Sequence, residues 1–199
     1  MTALRWWWVR HAPTGAPGVI GWTDAPADLS DRAALDALAA ALPHAPVVSS
    51  DLSRAVATAD RIAGLRPRLG AEPALREMRF GAWEGLPAAA IAERWPEESR
   101  RFWAEPGAHA APDGESFDDL AARVGAAVEG LNARLGSGDV IAVAHMGVVM
   151  AALARALGLS ARQAMAFRID TLSVTRLDWL PDARAWRVEA VNRRYGASG

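Results

Sequence analysis

Apolar residues follow two rhythms along this chain. Short unbroken runs occur at Trp6 to Val9, Val47 to Ser49, Val140 to Ala144, Leu172 to Leu177 and Trp186 to Val191. Runs of this length, bounded by turn residues, read as buried strands. The stretches between them keep a spacing of three and four. Ser30 reads as the N-cap of a helix with apolar Leu35, Leu38, Ala39 and Leu42, stopped by Pro43-His44-Ala45-Pro46. Ser50 or Asp51 reads as the cap of the next, which carries Arg54, Thr58, Arg61 and Ile62 and ends near Gly64. Leu65 to Glu77 reads as a loop with a short strand, and Pro87 to Glu105 as a helix-rich excursion broken by Pro96 and Pro106. Gly114-Glu115-Ser116 leads into a long helix through Leu120, Val124, Ala127, Val128 and Leu131. A further helix runs from Met146 to Leu157 and stops at Gly158. Strands alternating with helices predict an α/β fold, a three-layer α/β/α sandwich about a mostly parallel sheet. No shift in composition divides the chain, so a single domain over 1–199 is expected, with the excursion at about 87–112 covering its pocket.

The strand ends carry the chemistry. Ligands of open α/β sheets bind beyond the carboxyl ends of the strands. Arg10-His11 ends the first strand, and His145 follows the strand Val140 to Ala144. An imidazole can act as nucleophile and a guanidinium can grip phosphate with a bidentate fork, which points to phosphoryl transfer. Arg54 opens the helix after Val47 to Ser49, where the helix amides also favour an anion. An Arg there opposes the helix dipole, so helix propensity does not account for it. His44, between prolines, reads as an exposed connector. His109 lies in the loop Pro106 to Pro112, a surface position with reach to a substrate as its secondary reading. Of the nine Trp, Trp6, Trp7 and Trp8 must point alternately to the two faces of one strand, which suits core packing. Trp22, in Gly21-Trp22-Thr23-Asp24, is a candidate for the pocket rim, and Trp95 and Trp103 lie in the excursion.

Composition narrows the options. All 22 basic residues are Arg, which removes lysine Schiff bases and Walker-type phosphate loops. A net charge of −1 without a basic run argues against nucleic acid. No Cys is present, so disulfides, thiolate catalysis and Cys-based zinc sites are out. The four His show no HExxH pattern and no shared helix face, so neither metal nor cofactor is expected. The first apolar run is too short for a signal-peptide core or a membrane span, and a cytoplasmic protein with no membrane partner is the expectation.

Five ordered blocks carry a resemblance. Val9-Arg10-His11-Ala12-Pro13-Thr14, Ser50-Asp51-Leu52-Ser53-Arg54-Ala55-Val56-Ala57-Thr58-Ala59, and Leu75-Arg76-Glu77 with Phe80-Gly81-Ala82-Trp83-Glu84-Gly85 come first, followed by Gly114-Glu115-Ser116 and Val143-Ala144-His145. Together they resemble the histidine phosphatase superfamily, which includes cofactor-dependent phosphoglycerate mutases, nearly end to end. The resemblance implies that His11 is phosphorylated, that Arg10, Arg54 and His145 hold the phosphoryl oxygens, and that Glu77 is the proton donor and later the base. Thr14 would add a hydroxyl to the phosphate, and Glu84 would be structural. The chain departs from the pattern at Ala12 and Met146, where Gly is usual, and at Pro17, where mutase-like members carry Asn. Only the stretch 87–114 separates Leu86 from Glu115, shorter than the basic insertion of mutases, and Arg100-Arg101 is its one basic pair. A phosphomonoesterase acting on a small phosphorylated metabolite, similar to alpha-ribazole phosphatases, is therefore expected ahead of a mutase. A catalytically weak phospho-ligand binding protein is the alternative from another class.

Overall fold

The computed structural model describes residues 3–196. Its architecture follows from the alternation of β1 (Leu4–Arg10). Leu4, Trp6 and Trp8 enter one core and Val9 the other, with Trp7 packed against the latter. The strand β4 (Gly138–Ala144) repeats the pattern, with Val140, Ala142 and Ala144 on the first side and Ile141 and Val143 on the second. A strand buried on both faces needs helices on both, and the chain supplies them. Helices α1 (Arg32–Ala41) and α2 (Ser53–Ala63) cover one face through Leu35, Leu38, Ala55, Ala59 and Ile62. The opposite face carries α3 (Ala88–Arg94), α4 (Pro96–Ala104), α5 (Phe117–Leu135) and α6 (Met146–Leu157). A short α7 (Ala161–Ala164) follows. Trp6 and Trp8, two apart on one face, stack with ring centroids 4.8 Å apart.

The remaining strands are β2 (Val47–Ser49), β3 (Arg68–Ala71), β5 (Val174–Leu180) and β6 (Ala185–Arg193), and the six-stranded order is β3-β2-β4-β1-β5-β6. The pairs β3–β2, β2–β4 and β4–β1 are parallel, while β5 and β6 return antiparallel. This is the mostly parallel α/β/α sandwich that the alternation of elements predicts.

Local signals needed correction at several boundaries. The N-cap of α1 is Asp31, whose carboxylate accepts the Ala34 N–H at 3.0 Å, rather than Ser30, and Leu42 lies past the helix end. Ser30 instead donates its N–H to Asp28 at 2.9 Å, an Asx turn that leads into the helix. Neither Ser50 nor Asp51 caps α2. Its N-cap is Leu52, and the Ser53 N–H is met by Asp24 from the loop at 2.7 Å, while Asp51 pairs with Arg76. Strand β5 starts at Val174 because Leu172 sits at φ 60°, outside extended backbone. The long helix α5 has the full capping box, Ser116 with Asp119.

The cap assignment is testable. Asp31→Ala should lower the urea midpoint by an amount equivalent to about 1 kcal/mol at unchanged m-value. Ser30→Ala should cost a few tenths at most, and equal losses would show that the helix starts one residue earlier.

Candidate active site

The parallel register pairs Arg10 with Ala144, the last residues of adjacent strands. The His11 N–H then donates to the Ala144 carbonyl at 2.9 Å, so the next residue on each strand, His11 and His145, must lie side by side. Their ring centroids are 5.0 Å apart.

His11 is buried, and its Nδ1 lies 2.6 Å from the Ala12 carbonyl oxygen. A carbonyl only accepts, so Nδ1 carries the proton and the neutral ring keeps its lone pair on Nε2. Burial pushes the His11 pKa down to about 3, against the Ala12 carbonyl and with help from the Arg54 and Arg10 charges. The ring is thus neutral and nucleophilic at ordinary pH. Ala12 is itself fully buried and is not at positive φ, and its N–H donates to Thr58 Oγ1 at 3.0 Å, so a Cβ here strains nothing.

Two guanidiniums stand beside it, Arg54 buried and Arg10 half-buried. Arg54 is 1% exposed and donates to the carbonyls of Thr23 at 3.0 Å and Gly21 at 2.6 Å. Arg10 donates to the Ile169 carbonyl at 2.5 Å. Carbonyls fix both in place without neutralising them, and neither makes an ion pair among the described residues. The Nε of each lacks a partner, as do both ring nitrogens of fully buried His145. Burial, then the unfavourable approach to His11 were both rings charged, and the charges of Arg54 and Arg10, hold the His145 pKa well below the ordinary histidine value. Buried polar groups are normally satisfied, so this cluster of unmet donors around two cations fits an anion.

Glu77 faces them from the segment after β3. Its Oε1 accepts from the Met78 N–H at 2.8 Å, and the Gly147 N–H lies 3.1 Å from each carboxyl oxygen. Burial raises its pKa despite those bonds and the charges of Arg10 and Arg54. The helix amide explains the place of glycine. A Cβ on Gly147 would meet Glu77 Oε1 at 2.3 Å, whereas Met146, one residue earlier, lies at the cavity edge and is 39% exposed. The glycine that matters here follows the second histidine by two residues.

Two sequence candidates fall elsewhere. Trp22 is not among the residues that line the cavity over His11. Its Nε1–H donates to the Glu77 carbonyl at 2.8 Å from behind the acid, and Arg76 lies over its ring at 4.8 Å. His109 does not line the cavity and points to Glu105 at 3.3 Å on the surface. Sequence reasoning missed Arg123, which donates to the carbonyls of Ala74, Arg76 and Glu77 and pairs with Glu115, so the Gly-Glu-Ser block supports the Glu77 segment. Glu84 accepts the N–H groups of Trp22, Thr23 and Phe80, a structural role. Thr14 lines the cavity, and Pro17 does not.

The cavity above Arg10, His11 and Glu77 measures about 380 Å³, with α3 and α4 forming one wall through Ile91, Ser99 and Phe102. No group of three or more potential metal-ligating side chains gathers among the described residues.

Residues 6–194 match the model of the histidine phosphatase superfamily, branch 1. This chain belongs to the histidine phosphatase superfamily. Among its relatives, the bifunctional protein Rv2228c of Mycobacterium tuberculosis is 33% identical over 187 residues, covering 92% of this chain and 49% of that protein. The chain therefore spans about half the length of the first curated relatives it matches. The adenosylcobalamin/alpha-ribazole phosphatase of Salmonella typhimurium is 32% identical, covering 84% of this chain and 86% of its own. The mycobacterial glucosyl-3-phosphoglycerate phosphatase Rv2419c, solved in complex with inorganic phosphate, superposes with TM-score 0.80 at 30% identity over 96% of this chain and 97% of its own.

The buried neutral imidazole of His11 sets a pH dependence. An unfolded His11 takes up a proton below about pH 6.5, while the folded one stays neutral down to about 3, so falling pH favours unfolding across that window. Relative to His11→Gln, wild-type stability should fall by up to ~1.4 kcal/mol per pH unit between about pH 6 and pH 4. Parallel stability curves for the two proteins from pH 7 to pH 4 would contradict a neutral buried His11.

Proposed function

We propose that this chain is a metal-independent phosphomonoesterase that hydrolyses a small phosphorylated metabolite through a phosphohistidine at His11. The observation that carries this reading is the pair of guanidiniums, buried Arg54 and half-buried Arg10, held by carbonyls and unpaired with carboxylate among the described residues, beside a neutral His11 with Nε2 free. A phosphoryl group completes such a site. Its equatorial oxygens take the Nη and Nε donors and an N–H of His145, and the Thr14 hydroxyl adds a further donor.

The chemistry then follows from position. His11 Nε2 attacks phosphorus as the bond to the ester oxygen breaks. Glu77, which burial keeps protonated to higher pH, gives its proton to the departing alkoxide. Now ionised and held by the Met78 and Gly147 amides, Glu77 takes a proton from water as that water attacks the phosphohistidine. Inorganic phosphate leaves, and His11 and the Glu77 acid are restored. The charges on Arg10 and Arg54 supply the electrostatic stabilisation that metal ions supply elsewhere. Rv2419c, solved with inorganic phosphate and with VO3, shares this fold, which supports an oxyanion as ligand here.

A mutase would have to hold a second charged group of its substrate. Arg10 is the only guanidinium among the residues that line the cavity, and Arg100 of the basic pair is exposed and bound to Glu97.

Glu77→Gln separates acid catalysis from simple charge. With EDTA present throughout, the substitution should slow single-turnover cleavage of an alkyl phosphate by ~10²–10⁴-fold and that of p-nitrophenyl phosphate far less. Equal losses on both esters, or no wild-type turnover until a divalent metal is added, would contradict the mechanism.

A further inference from the structure

Resting on the phosphatase reading above, we infer that the alcohol half of the substrate is an uncharged, largely apolar group with an aromatic or similarly flat face, read by the wall that α3 and α4 supply. The cavity divides sharply by chemistry. Every ionisable side chain that lines it belongs to its floor, Arg10, His11 and Glu77. Above the floor the lining is Val19 and Ile20 from the loop after His11, Trp83, and Ile91, Phe102 and Trp103 from the excursion. Ser99, 7% exposed, is the single polar side chain that the excursion contributes.

A carboxylate or second phosphate on the alcohol would leave water and meet no cation on these walls. Burial of an unpaired charge is among the most costly events in recognition, so the cavity rejects such esters. Apolar surface gains instead. Trp83 and Phe102 meet edge to face with centroids 5.2 Å apart, and Phe102 and Trp103 do the same at 5.1 Å. Trp83 and Phe102 are nearly buried, while Trp103 at the mouth is 58% exposed. An exposed indole beside a lined cavity has its contact area still to make, and a flat apolar group passing the mouth provides it. The Ser99 hydroxyl then fits one uncharged donor or acceptor on that group.

The test holds the leaving group constant. Three esters with primary alkyl leaving groups are compared by kcat/KM: 2-(1-naphthyl)ethyl phosphate, glycerol 3-phosphate and 3-phosphoglycerate. The naphthylethyl ester should exceed 3-phosphoglycerate by ~10²-fold or more, with glycerol 3-phosphate between them. Trp103→Arg, a change at an exposed position, should move the ratio towards 3-phosphoglycerate by about five-fold or more, because it puts a cation where the carboxylate would sit. If 3-phosphoglycerate matches or exceeds the naphthylethyl ester, or if Trp103→Arg leaves the ratio unchanged, the inference is overturned while the phosphatase reading stands. If none of these esters turns over, nor p-nitrophenyl phosphate, the phosphatase reading itself fails and this inference with it.

Discussion

The site is organised around two positive charges, Arg54 fully buried and Arg10 half-buried, that the protein leaves without a neutralising partner among the described residues. Taking a guanidinium out of water costs several kcal/mol unless something compensates. Arg54 and Arg10 receive only partial compensation, from the carbonyls of Gly21, Thr23 and Ile169. Those carbonyls come from the loops that follow β1 and precede β5, so the loops are shaped by the arginines as much as the reverse. The charges in turn help to keep His11 and His145 neutral and temper the effect of burial on Glu77. Burial sets the direction for each titrating group in the cluster, and the charges of the others adjust it. A bound phosphoryl group satisfies the cations and the unpartnered donors together.

Glu77 shows how opposing influences can suit one residue to two tasks. Burial favours the acid, which the first step needs. The Met78 and Gly147 amides, the first turn of α6 and the two guanidiniums favour the carboxylate, which the second step needs. Its backbone is held from behind by the Trp22 indole and Arg123, so the carboxyl keeps its place while its charge changes. The close approach to α6 requires a residue without a side chain at 147.

The parts of this arrangement that depend on strand ends were legible in the sequence. Arg10, His11 and His145 could be placed because a short apolar run stops abruptly at each, and five of the six strands and the layer order followed from the same runs, while the mostly exposed β3 carries no such run. Glu77 was legible only through the family resemblance, because a lone Glu in a loop has no periodicity to mark its burial. The roles of Trp22 and Arg123 were not legible. Both act through a main-chain carbonyl brought near by tertiary folding, and no spacing in the sequence encodes that contact. Trp22 and His109 do not line the cavity for a related reason, since adjacency to a signature segment does not say which side of the backbone a side chain takes. The cap errors at Ser30 and Ser50 are local. Asp and Ser compete for the same turn positions, and at α2 the acceptor comes from Asp24, distant in sequence. Ala12 departs from the family pattern without strain because its backbone is not at positive φ, and Met146 because the close approach to Glu77 falls at Gly147.

The most direct measurement is chemical quench of the enzyme mixed with a ³²P-labelled phosphomonoester on the millisecond scale. The account predicts label on the protein that survives alkali and is lost in acid, as a phosphohistidine is, and no label on His11→Ala, which should be folded and inactive. Rapid turnover without protein-bound label, or label retained by His11→Ala, would contradict it.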